Sequence, residues 1–113
     1  MIASLRGRVV SAGAGRVVID VAGVGYDLFA TSSAVRLASV AGDGDITLVT
    51  YLHVREDALQ LFGFAQAAER ELFELLLGVS GVGPKASLAI VSGYEPDQIR
   101  RAVATARRIW SGS

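Results

Sequence analysis

Apolar and polar positions alternate through the first half of the chain, then shift to a helical spacing just past Gly63. Arg16-Val17-Val18-Ile19-Asp20-Val21 predicts a strand, Ala22-Gly23-Val24-Gly25 a turn, and Tyr26-Asp27-Leu28-Phe29-Ala30 the returning strand. Farther on, Ile46, Leu48, Thr50, Leu52 and Val54 share one face of a long strand, and Thr47, Val49, Tyr51, His53 and Arg55 the other. Arg55-Glu56-Asp57 forms a polar tip before residues 58–62 run back. With residues 2–10 at the start and a short helix over 32–38, the pattern gives five strands and one inserted helix. That inventory predicts a five-stranded OB-fold barrel over residues 1–63.

Residues 64–113 read as helices. Leu72, Phe73, Leu75 and Leu76 make an apolar stripe about three turns long. Pro84 opens a second helix closed by Gly93. Pro96 opens a third, with Ile99, Ala102, Val103 and Ala106 on one face. Beyond Ala106 the pattern fades into Arg107-Arg108-Ile109-Trp110-Ser111-Gly112-Ser113, read as a frayed end in preference to a DNA-facing tail. The fold class is therefore a β barrel plus α, the barrel being followed by a three-helix segment of helix-hairpin-helix type.

The most informative stretch is Gly81-Val82-Gly83-Pro84-Lys85, which joins two of these helices. Two glycines allow a tight bend and a close approach. The unpaired amides at the start of the next helix, running to Ala86, offer a seat for phosphate, with Lys85 adding a point charge. On the residues alone, an ordinary tight turn between helices remains the competing reading. Two nucleotide motifs fail here. A Walker loop needs Lys directly after Gly, and Pro84 intervenes. Gly81-x-Gly83-x-x-Ala86 has the spacing of a dinucleotide fingerprint but follows a helix, where that motif must follow a strand.

Composition narrows the rest. At 113 residues each half is small enough to be marginal alone, and the 51% hydrophobic content suggests apolar surface facing other subunits. Eleven basic and eleven acidic side chains cancel, so charge argues only for local phosphate contacts. One histidine and no cysteine leave no assignable metal, cofactor or nucleophile site, and His53 reads as a strand-face residue. No apolar run approaches a membrane span and no signal-peptide layout opens the chain, so a cytoplasmic protein is expected. Taken alone, Glu56 and Asp57 read as a solvated hairpin tip.

Four segments together resemble the RuvA family of bacterial Holliday junction-binding proteins. They are Met1-Ile2-Ala3-Ser4-Leu5-Arg6-Gly7, Val21-Ala22-Gly23-Val24-Gly25-Tyr26, the run from Val54-Arg55-Glu56-Asp57-Ala58 to Leu61-Phe62-Gly63-Phe64, and the run from Glu69-Arg70-Glu71-Leu72-Phe73 to Gly81-Val82-Gly83-Pro84-Lys85. The resemblance implies a fourfold-symmetric homotetramer that holds four-way junction DNA open and flat. Gly81, Val82, Gly83, Lys85 and Ala86 would bind DNA backbone, and Glu56 and Asp57 would form an acidic pin at the crossover. It implies no catalytic residue, since ATP hydrolysis belongs to a separate RuvB-type motor. Family members of usual length continue into a second glycine hairpin and a motor-docking domain, which residues 107–113 do not match. A shortened chain of this type has an alternative role, as an oligomerisation module with little DNA binding of its own. A general single-strand binder is a third reading, disfavoured because Tyr26, Phe29 and Tyr51 alone offer stacking surfaces within the strands.

Overall fold

A computed structural model describes the backbone of residues 2–112 and the side chains of residues 2–106. The terminal cluster of residues 107–113 therefore lies outside the described side chains. The chain divides into two compact units, Met1–Ala67 and Ala68–Ser113.

The first unit is a closed barrel. Its strands are β1 (Ser4–Gly13), β2 (Arg16–Val21), β3 (Val24–Ala30), β4 (Asp45–Val54) and β5 (Leu59–Phe64), with helix α1 (Ser32–Ala41) between β3 and β4. Their order around the barrel is β1-β2-β3-β5-β4, and β4 closes onto β1. Only the β3–β5 pairing is parallel, because α1 and β4 intervene in the chain between those strands. This is the expected OB-type barrel. The alternation in β4 behaves as read, since Ile46, Leu48 and Thr50 are buried while Thr47 is exposed. Val17, Ile19, Leu28 and Leu48 are fully buried. Each such side chain stabilises the fold by about 1.5–3 kcal/mol relative to exposure. Helix α1 adds Ala34 and Ala38 to this core. Its start is fixed by Thr31, whose Oγ1 accepts from the Ala34 amide at 3.2 Å.

Several boundaries move from their expected places. The turn between β2 and β3 is Ala22-Gly23 alone, so Val24 and Gly25 belong to the strand, opposite Val21 and Asp20. Both turn residues have positive φ, 51° and 90°, as a two-residue hairpin of the right twist requires. Asp20 secures the bend by accepting from the Gly23 amide at 2.7 Å. Strand β1 continues to Gly13 and β5 to Phe64, both past the positions where the pattern weakens.

The second unit contains α2 (Ala67–Leu77, its first residue at the boundary), α3 (Pro84–Gly93) and α4 (Pro96–Gly112). Leu72, Phe73 and Leu76 are buried on α2, and Ile99 and Val103 on α4. Ala102, expected on the buried face of α4, is exposed and lines an open groove with Ile90, Tyr94, Gln98 and Ile99. Among the described side chains of α4 the buried pair is Ile99 and Val103, with Ala106 of the expected face half-buried. Among the described residues no helix is long and apolar enough to cross a membrane.

Candidate nucleic-acid interface

Helix α2 ends at Leu77, and a tight turn carries the chain to α3. The Val82 amide donates to the Val79 carbonyl at 3.1 Å, closing a four-residue turn whose third residue is Gly81. Gly81 has φ +85°, which glycine adopts without strain and other residues do not. Gly83 then caps α3 with an extended backbone (φ −89°, ψ 175°) and no side-chain cap, and Pro84 occupies the first turn. The Gly83 carbonyl accepts from both the Ser87 amide at 3.0 Å and Ser87 Oγ at 2.9 Å. Ser87 is itself fully buried, so this pair of bonds fixes the peptide leading into the helix.

The two readings of the loop differ in where its amide groups find partners. Gly81, Gly83 and Ala86 are exposed, and their N–H groups have no protein partner among the described residues. The amide of Val82 is used inside the turn, so Val82 contributes position rather than a donor. Lys85 is exposed on the first turn of α3. A Cβ added at Gly83 would meet nothing within 4 Å, and the backbone there suits any residue. The fold therefore does not require glycine at 83. What glycine leaves is open space beside a cluster of unpaired donors at the positive end of a helix.

The second predicted element lies in the first unit, at the end of the β4–β5 hairpin. The Arg55 amide donates to the Ala58 carbonyl at 2.9 Å, and Glu56 and Asp57 are exposed between them. Neither carboxylate has an ion-pair or hydrogen-bond partner among the described residues. The two predicted elements belong to different units.

The barrel wall bears on the single-strand alternative. Arg16 lies opposite Phe29 and sits 4.8 Å over its ring, while Phe29 stacks on Phe62 with centroids 5.5 Å apart. Arg16 also donates from Nε and Nη2 to the Asp27 carboxylate, which raises its pKa above the ordinary value first by hydrogen bonding and then by charge. A raised value means this cation persists until the pH climbs past it. Phe29 is therefore already engaged by both Arg16 and Phe62, a signal carried by the cross-strand spacing. Among the described residues no group of three His, Asp or Glu side chains could hold a metal ion.

Residues 1–63 match the model of the family described as RuvA N terminal domain. The chain is 57% identical over 104 residues to a protein of Symbiobacterium thermophilum named Holliday junction branch migration complex subunit RuvA, covering 92% of this chain and 50% of that protein. Proteins of the same name from Herpetosiphon aurantiacus and Thermobifida fusca are 51% and 52% identical over 105 residues, covering 92% and 93% of this chain and 52% and 51% of theirs. The chain thus spans about half the length of the curated relatives it matches.

Proposed function

The chain belongs to the RuvA N-terminal domain family, and on that basis we propose that it binds four-way junction DNA. The turn at residues 81–86 grips the sugar-phosphate backbone, and Glu56 and Asp57 face the crossover. The observation that carries this reading is the exposed set of unpaired amides at Gly81, Gly83 and Ala86. Amides at a helix start attract a phosphate oxygen, and Lys85 adds a charge beside them. Contacts of this kind position the protein and carry no base sequence. Selectivity for a junction then comes from several subunits gripping several arms at once, in the homotetramer that the family resemblance suggests. The chain would serve as a non-catalytic cytoplasmic subunit, with ATP hydrolysis supplied by a RuvB-type motor.

The acidic tip works by repulsion. A carboxylate about 4 Å from a phosphate costs about 1 kcal/mol in water and about 4 kcal/mol at a protein-surface dielectric. That cost discourages continuous duplex at the centre while leaving the arm contacts intact. Replacing Glu56 with Gln and Asp57 with Asn together should strengthen binding to linear duplex relative to the junction by about fivefold, which is about 1 kcal/mol. Competition gel shifts with both DNAs check this, and an unchanged preference would remove the pin assignment.

The central test is a gel-shift titration of the 113-residue chain on a four-way junction and a linear duplex at matched salt. Tighter binding to the junction is expected. The salt dependence gives the number of phosphates engaged, at about 0.9 logarithmic units per contact. Equal affinities would overturn structure-selective binding, and no shift with either DNA would overturn DNA binding altogether.

A further inference from the structure

The core-facing row of β4 runs Ile46, Leu48, Thr50, Leu52, Val54, and it outlasts the barrel. Strand β4 pairs with β1 only over Asp45–Val49, and β5 pairs with β3 only over Leu61–Gly63. From His53 to Gln60 the hairpin is an arm of two strands. Val54 stands opposite Leu59 on this arm, and the two side chains are 66% and 70% exposed. On the arm's other face, the His53 and Gln60 pair is half-buried. An exposed cross-strand Val–Leu pair on a two-stranded arm gives the fold little from its apolar surface, since most of that surface stays in water.

We infer that Val54 and Leu59 form an apolar wedge that rests against unstacked base faces at the crossover of a four-way junction. This deepens the proposed junction binding and rests on it. Val54 and Leu59 flank the Arg55–Ala58 loop directly, so a partner seated at Glu56 and Asp57 comes within reach of them. The two carboxylates repel phosphate, which leaves the uncharged planes of the bases as the part of the DNA that the arm tolerates. Apolar side chains of this size commonly lodge against opened base steps. Self-docking of two arms about a twofold axis would instead bring the same unpaired carboxylates together.

The test uses junctions carrying 2-aminopurine either at the crossover or within one arm, read at saturating protein. The parent chain should raise the fluorescence of the crossover probe and leave the arm probe unchanged. Val54→Thr with Leu59→Gln keeps strand-compatible residues and should lose that rise while junction affinity stays within about tenfold. The conservative pair Val54→Ile with Leu59→Met should retain it, which separates apolar contact from misfolding. A parent that binds the junction without the crossover rise, or a polar pair that keeps it, overturns the wedge alone. A polar pair that changes the oligomeric state without DNA assigns the patch to a second copy and also overturns the wedge. A parent that fails to bind the junction overturns the underlying reading together with this one.

Discussion

Gly83→Val should leave the chain folded and remove most of its affinity for DNA. The backbone at 83, φ −89° and ψ 175°, is a region valine prefers, and the added Cβ meets no atom within 4 Å. Gly83 contributes no side-chain cap, so the loss at that position is limited to about 1 kcal/mol of capping preference. DNA meets a different situation. The isopropyl group would fill the open space beside the amides of Gly81, Gly83 and Ala86 and hold a phosphate out of hydrogen-bonding range. Hydrogen bonds to a charged group contribute about 1.5–3 kcal/mol, so losing one such contact corresponds to roughly tenfold to hundredfold in affinity. Junction and duplex should weaken alike, because a backbone contact carries no information about branching. Gly81→Val is the informative contrast. With φ at +85° it strains the turn itself and should disturb the loop as well as binding. Thermal melting paired with gel shifts distinguishes the two variants. A Gly83→Val chain that binds like the parent would dismiss the turn as the DNA grip.

The barrel was readable because its core face alternates without interruption. Ile46, Leu48 and Thr50 announce which side of β4 is buried, and Val17 and Ile19 do the same for β2. Boundaries were less readable where glycine stands inside a strand. Gly25 looks like part of a turn, yet it pairs with Asp20, and the bend is held three residues earlier by Ala22 in a conformation alanine rarely adopts. Gly63 looks like the end of β5, but it faces the core, where a Cβ would come within 3.1 Å of Leu28 Cδ2. Only the neighbouring strand reveals that requirement. Residues 81–86 stood out by composition, whereas the distinction between a plain turn and a donor cluster depended on where each amide points. Val82 illustrates the limit, since its N–H closes the turn and is not available outward. The exposure of Val54 and Leu59 was hidden for the opposite reason. Their alternation continues the core pattern, and sequence alone does not show that the neighbouring strands have already ended.

Gly7→Ala should be among the most damaging small substitutions in the barrel. Strand β1 pairs with β4 over Ser4–Arg8 and with β2 from Arg8 onward, so Gly7 sits where the strand passes from one neighbour to the other. Closing a barrel of few strands demands a sharp bend at such a point, and glycine in a strand marks it. A Cβ at Gly7 would lie 2.2 Å from the Asp20 carbonyl oxygen and 2.8 Å from Ile19 Cγ2. The oxygen belongs to the backbone of β2 and cannot rotate away, so the strands themselves must separate. Overpacking of this kind costs about 1–3 kcal/mol, and a backbone obstacle places it at the upper end. For a unit of this size the melting temperature should fall by about 10–20 °C. A fall of less than about 3 °C would mean that β1 can shift at its corner without loss. The effect reaches function through geometry. Ile19 and Asp20 belong to the wall that closes the barrel, and the barrel is the support from which the β4–β5 arm projects. On the proposed reading, loosening that wall should therefore weaken the share of the junction-over-duplex preference assigned to Glu56 and Asp57, while the backbone grip proposed at Gly81 and Gly83, carried by the other unit, should continue to hold both DNAs.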